Sequence, residues 1–212
     1  MSGSQNRLVI LGAGGHGRVV ADIAEQQGFE DISFVDGNAK GRQTNLYWPI
    51  IGSSVTTVDG KFSVFIAIGN NSLRLRKIIE LIAAGKTLPI LIHKSASVSQ
   101  YAEIGAGSVI MPQVVINAGA RLGVGFIANS GCTIDHDCII GDGVHVSPGA
   151  NLAGGVSVGN CSWIGIGASI REGIRVGKNV VVGAGSVVVS DIADGEVVFG
   201  VPARTKGSVN LC

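Results

Sequence analysis

The sequence predicts an α/β N-terminal domain with a Rossmann-like parallel sheet, joined to a C-terminal parallel β-helix. Three observations carry this. A period of six runs through the second half. Strands alternate with helices in the first. Glycine makes up 33 of 212 residues, while only 15% of residues are charged and 46% are hydrophobic. Much glycine without a three-residue repeat suits buried β structure with many tight corners.

The period begins at Val98. Every sixth residue from there to Val188 is Val, Ile or Leu, with Ala128 the one exception. Neither a helix (3.6) nor an alternating strand (2) has this period, but a hexapeptide solenoid does. Three hexapeptides make a triangular coil, giving about five coils in all. The anchor aliphatics point inward. Small side chains two residues before an anchor, such as Ser108, Cys132 and Cys138, point inward too. Glycine often follows the anchor, as at Gly105, Gly123 and Gly141. These glycines are expected at corners that need unusual backbone angles.

Residues 1–92 read as strand–helix alternation. RLVILGAGGHGRVV is a strand, a glycine turn and a helix start. DISFVDGN is a second strand ending at Asp36, and SVFIAIGNN a third before the helical SLRLRKIIELIAA. LPILIH is a fourth strand, leading into a β-helix domain over 93–212.

GAGGHG (12–17) fits G-x-G-x-x-G, with Asp36 about 20 residues further on. Such a loop at a helix N-terminus favours a pyrophosphate. Too few residues precede the repeat for two mononucleotide-binding halves, so a nucleotide-sugar fits better than NAD(P). A purely structural turn is the third reading. His16 could donate to a phosphate or sugar, or simply start a helix.

The triplet Asp135–His136–Asp137 sits in a chain of few charges. The six-residue phase puts His136 and Asp137 at a corner, facing outward. Coils stack about 4.8 Å apart, so His136 lies between Ala118 and Gly154, and Asp137 between Gly119 and Gly155. An imidazole on a nearly bare wall beside a carboxylate is a better base, and the carboxylate favours one tautomer. No serine completes a triad, so the nucleophile comes from the substrate. The alternative is a solvated polar corner. Cys132 and Cys138 face the opposite side of the wall from the imidazoles, so no zinc site is expected.

The net charge of +1 argues against nucleic acid or an anionic membrane as partner. No apolar run reaches the length of a membrane span. Neither a signal peptide nor a disulfide framework is evident in the four cysteines, so a cytoplasmic protein is expected.

The motifs GAGGHG, FVD (34–36), IAIGNN (66–71), LIHKSA (91–96), the triplet with HVSPGA (145–150), and GVPAR (200–204) together resemble one family. It is the sialic-acid O-acetyltransferase and UDP-4-amino-sugar (bacillosamine-type) N-acetyltransferase family of hexapeptide-repeat acyltransferases. The resemblance implies a left-handed β-helix and a homotrimer with active sites between subunits. It implies acetyl-CoA as co-substrate, no metal, and a UDP-amino-sugar of protein glycosylation or polysaccharide synthesis as acceptor. By position, His136 would be the general base and Asp137 its partner. Gly14, Gly15, His16, Asp36 and Gly37 would contact the nucleotide-sugar, and Asn129 the sugar amine. His145, Ile166 and Ala184 would line the acetyl-CoA site. The implied reaction is N-acetylation of the C4 amine of a UDP-4-amino-4,6-dideoxy-N-acetyl-sugar. The alternatives are O-acetylation of a sialic or legionaminic acid, and a non-catalytic nucleotide-sugar-binding scaffold.

Overall fold

The computed structural model describes residues 6–208. The N-terminal half contains β1 (Arg7–Leu11), α1 (Gly15–Gln26), β2 (Asp31–Val35), β3 (Thr44–Asn45), β4 (Trp48–Gly52), β5 (Ser63–Ile66) and α2 (Asn71–Ala83). Its sheet has the order β3-β4-β2-β1-β5. Leu8, Val9 and Ile10 of β1 are all fully buried, as a near-continuous apolar run in the middle of a parallel sheet requires. α2 starts at an Asn70 cap, whose side chain accepts from Leu73 N at 2.8 Å.

Two expectations for this half need correction. The sheet is mixed rather than parallel, because β3 pairs antiparallel with β4. The sequence hid this hairpin because Pro49 interrupts its strand pattern, and proline is tolerated only near a sheet edge. Of LPILIH, only Leu91–Ile92 forms a strand, and it pairs with Val109–Ile110. It therefore opens the β-helix instead of joining the α/β sheet.

The second half is a left-handed parallel β-helix of two-residue strands on three faces. The first face runs from Leu91–Ile92 to Val181–Val182 and is extended by Glu196–Phe199 and Arg204–Ser208. A second runs from Ser97–Val98 to Val187–Val188, and a third from Glu103–Ile104 to Arg175–Val176. Register advances by one coil at a time, with Val115 against Thr133 and Thr133 against Asn151. The anchors fill the prism: Ile134, Val146 and Ile164 are all 0% exposed, as are Cys132 and Cys138.

The glycines divide into two kinds, and only one was anticipated at its place. The left-handed corner residue lies three after the anchor, as at Gly131 (φ 67°) and Gly155 (φ 67°). The glycine directly after the anchor has ordinary backbone angles. It is required because coils touch there: a Cβ on Gly105 would lie 2.5 Å from the Gly123 carbonyl carbon. Close approach, not torsion, selects glycine at that position.

One of two buried apolar clusters spans both halves, from Ile10 and Phe34 through Leu91 to Val198. Among the described residues, no helix is long and apolar enough to cross a membrane.

Candidate active site

The three edges of the prism carry different groups. The edge between the second and third faces holds His136 and Asp137. His136 Nδ1 lies 2.9 Å from Asp137 Oδ2, so the carboxylate accepts the Nδ1 proton and leaves Nε2 free to act as a base. The bond with Asp137 raises the imidazole pKa, and the charge of Asp135 adds to it. Asp135 is itself held: its Oδ1 accepts from Asn117 Nδ2 and from the His136 amide, both at 2.7 Å.

The stacking neighbours are the expected ones. Asp137 N donates to Ala118 O, and Gly155 N to His136 O. The Nε2 side of the ring packs against Gly154, where a Cβ would lie 2.5 Å from Nε2. Asp137 occupies the left-handed corner position with φ 59°, where neighbouring coils place Gly119 and Gly155. Aspartate tolerates this conformation better than most residues, but it remains the less comfortable choice.

The glycine loop has a division of labour. Gly12 (φ 112°) could not take a Cβ, which would lie 2.7 Å from Ala67 O, and a Cβ on Gly17 would press to 3.0 Å from the Phe34 ring. These two shape the turn and pack α1 on the sheet. A Cβ on Gly14 or Gly15 would meet nothing within 4 Å, so their bareness leaves room for something else to approach. Asp36 clasps the loop, its Oδ2 accepting from Ala13 N at 2.9 Å and its Oδ1 from Asn38 N at 2.8 Å. Two residues not foreseen complete the clasp: Arg42 Nη1 donates to Ala13 O at 3.1 Å, and Asn45 Nδ2 to Gly14 O at 3.1 Å. Gly37 is exposed beside Asp36.

His16 enters α1 with its Nε2 buried and without a hydrogen-bond partner. Burial, with the charge of Arg74, pushes its pKa down to about 4. His145, on the first face of the β-helix, stacks on Trp163 with centroids 5.8 Å apart and planes 5° from parallel. Its Nε2 accepts from Asn129 Nδ2 at 3.1 Å. Burial, then Arg74 and His16, push its pKa down to about 3. Trp163 was missed in the sequence, although its position 18 residues after His145 could have revealed it.

Both rings are therefore neutral in the folded protein and would protonate near pH 6.5 once unfolded. Depressed basic groups of this kind contribute stability above pH 6.5 that is lost as pH falls towards 4 and 3. The melting temperature is expected to fall between pH 7 and pH 4. His16→Gln should flatten part of that slope in a scanning-fluorimetry series.

Ile166 and Ala184 lie on the edge between the first and second faces. Both are exposed and stacked in successive coils, with Gly185 N donating to Ile166 O at 2.8 Å. The structure thus gathers His16 and His145 near the junction with the α/β half, with Asn129, bonded to His145, on the edge between the first and second faces that also carries Ile166 and Ala184. It leaves His136 with Asp137 on the edge between the second and third faces. Among the described residues, no group of three or more His, Cys, Asp or Glu side chains converges as a metal site.

Residues 7–81 match the family described as PglD N-terminal domain. A segment of 110 residues is 38% identical to UDP-N-acetylbacillosamine N-acetyltransferase of Bacillus subtilis (strain 168). It covers 49% of this chain and half the length of that enzyme. The acetyltransferase domain of PglB from Neisseria gonorrhoeae FA1090, solved with acetyl coenzyme A, is 42% identical. That match covers 96% of this chain and 100% of that one, with a TM-score of 0.90. A single-residue mutant of perosamine N-acetyltransferase from Caulobacter crescentus, solved with CoA and GDP-perosamine, is 37% identical over 95% of this chain and 97% of that one, with a TM-score of 0.90. With identity of this level along nearly the whole length, the chain belongs to the hexapeptide-repeat family of nucleotide-sugar N-acetyltransferases.

Proposed function

We propose that the protein transfers the acetyl group of acetyl-CoA to the amine of a nucleotide-linked amino sugar, with His136 as general base. The observation that carries the reading is the 2.9 Å Nδ1–Oδ2 bond of His136 and Asp137 over the bare Gly154 wall. His136 Nε2 takes a proton from the sugar amine as the nitrogen attacks the thioester carbonyl. The C–N bond forms, the C–S bond breaks, and CoA leaves as a thiolate that the imidazolium can reprotonate. No enzyme acyl intermediate is required, because holding the two substrates together supplies much of the rate. Cys132, with its pKa pushed up to about 12 by burial, is unsuited to be a nucleophile.

The α/β half is the place for the nucleotide-sugar. The open approach at Gly14 and Gly15, the α1 N-terminus, and the partnerless Nε2 of His16 suit a diphosphate-linked sugar. Asn129 lies where the sugar amine would meet the β-helix, and His145, bonded to it at 3.1 Å, would face the acetyl-CoA together with Ile166 and Ala184. The relatives named above carry UDP- and GDP-linked amino sugars in their descriptions. The half-match to the Bacillus enzyme favours a UDP-4-amino-4,6-dideoxy-sugar for this chain. Both substrates are cytoplasmic metabolites, which would put the enzyme in that compartment.

The assembly follows from the edges. His136 and the Ile166–Ala184 pair lie on different edges of one prism, so a site using both takes them from two copies. A threefold ring of prisms closes such a contact with every site alike, which makes a homotrimer the proposed state.

The test is thiol release from acetyl-CoA with a panel of UDP-, GDP- and dTDP-linked 4-amino sugars, and with sialic acid as hydroxyl acceptor. Turnover that requires the amine is the expected result. Turnover of sialic acid alone would replace N- with O-acetylation, and binding without turnover would leave only a scaffold. In the same assay, Gly15→Val is expected to raise the nucleotide-sugar KM about tenfold or more while leaving the acetyl-CoA KM unchanged, because side-chain bulk blocks close backbone approach. Equal effects on both KM values would assign the loop a different role.

A further inference from the structure

Arg74 is the one fully buried charged side chain among the described residues, 1% exposed. It lies in the first turn of α2, where a cation opposes the helix dipole. No carboxylate pairs with it among the described residues. Burial lowers its pKa to about 10, so it stays charged at neutral pH. A lone buried cation at the positive end of a helix is unfavourable on both counts, so its placement calls for a reason.

Its hydrogen bonds supply one. All five N–H donors of the guanidinium are used, and every acceptor is neutral. Nε donates to Gly125 O at 2.9 Å and Nη2 to Gly143 O at 2.8 Å. Nη1 donates to Ile68 O at 3.0 Å and Gly69 O at 3.3 Å, and Nη2 also to Asn71 Oδ1 at 2.9 Å. Asn71 Nδ2 in turn donates to Cys161 O and Ser162 O, both at 3.1 Å. Gly125, Gly143 and Cys161 are the left-handed residues of three successive coils on the edge between the third and first faces. The start of α2 is therefore fastened to three rungs of the β-helix.

The fastening continues to the nucleotide loop. Ile68 and Gly69 directly follow Ala67, whose carbonyl is so close to Gly12 that a Cβ there would lie 2.7 Å away. The path runs from the β-helix edge through Arg74 to the loop after β5, then to Gly12 and on to His16. On the other side of the junction stand His145, Trp163 and Asn129.

We propose that Arg74 is a positioning residue for acetyl transfer, setting the spacing between His16 on the nucleotide-sugar loop and the His145–Trp163 stack on the β-helix. The proposal rests on the acetyltransferase reading above for its kinetic consequence, but not for its structural one. The titratable groups facing the two rings are Arg74 and each other, while Cys161 faces Arg74. Lysine keeps the charge but lacks the planar fork that spans two coils.

Arg74→Lys is the test, read in two ways on the full chain. In steady-state kinetics the nucleotide-sugar KM is expected to rise about tenfold or more through His16, with a smaller rise in the acetyl-CoA KM through His145, since loss of registration is felt at the substrate each group holds. In NMR of the ligand-free protein, the imidazole signals of both His16 and His145 are expected to move while the His136 signals stay. A folded Arg74→Lys protein with both KM values and both buried-imidazole signals unchanged overturns the proposal. If the wild type acetylates no nucleotide amino sugar, the functional reading fails and the imidazole signals alone decide on Arg74. Should Arg74→Lys not fold, Asn71→Ala removes the adjoining bonds with the guanidinium in place. It is expected to move the same signals by a smaller amount, and unmoved signals there overturn the proposal equally.

Discussion

His136→Ala is expected to lower kcat by roughly 10²–10⁴-fold, the range for a lost general base, with little change in either KM. The ring is on the outer wall, its side chain 63% exposed, and the anchors Ile134 and Ile140 beneath it are untouched. The melting temperature should therefore stay close to that of the wild type. Asp137 substitutions separate orientation from folding. Asp137→Gly should cost less than His136→Ala in rate, because the imidazole remains but loses its partner. It should not destabilise the protein, because glycine suits the left-handed corner that Asp137 occupies at φ 59°. A variant that is as stable as the wild type yet slower places Asp137 in function rather than in the fold. The pH profile adds a signed check. Asp137 is the main cause of the raised His136 pKa, and a base works in its neutral form. The acid limb of kcat/KM should move to lower pH in Asp137→Asn. Neither His16 nor His145 should add to that limb near neutrality, since both are already neutral there.

Gly154→Val is expected to come near His136→Ala in its effect, although residue 154 has no chemistry of its own. Its Cβ would fall 2.5 Å from His136 Nε2 and 2.6 Å from Cε1. The ring must swing away, breaking the 2.9 Å bond to Asp137 and moving the basic nitrogen from its place. A displacement of about 1 Å in a reacting group costs on the order of 10²-fold. Folding should survive, because the clash is with a side chain that can turn into solvent, and Gly154 does not use the left-handed region. Gly155→Ala makes a useful contrast. Its Cβ would meet nothing within 4 Å, but its φ of 67° is one that alanine resists, so stability should fall by about 1 kcal/mol with kcat largely kept. Thermal melts and steady-state rates on the two variants check both halves of this contrast.

Much of this site was legible in the sequence because a solenoid turns sequence distance into spatial distance. Once the period of six was known, its phase put Cys132 and Cys138 inside, and the step of 18 residues placed Gly154 and Ala118 beside His136. The α/β half lacked such a ruler. Pro49 masked the β3–β4 hairpin, and with it the two clasp residues Arg42 and Asn45. Arg74 looked like one more charge on an amphipathic helix, since the helical period says which face is polar and not what meets it. The same limit applied to the glycines that directly follow an anchor, such as Gly105 and Gly123. The sequence pattern marks a small residue there, and only the packing of coil on coil explains it by contact rather than by torsion.

In the proposed assembly, acetyl transfer uses His136 from one copy and the Ile166–Ala184 edge from another, which subunit mixing can separate. His136→Ala lacks the base, and Ala184→Trp fills the exposed edge, so each should be nearly inactive alone. When the two are co-refolded in equal amounts, random pairing leaves about a quarter of the sites with both edges intact, as closed symmetric assembly requires. Activity is expected to return to about a quarter of the wild-type level, with light scattering at the trimer mass. No recovery from mixed trimers, or full activity in a monomer, would rule out a site shared between copies.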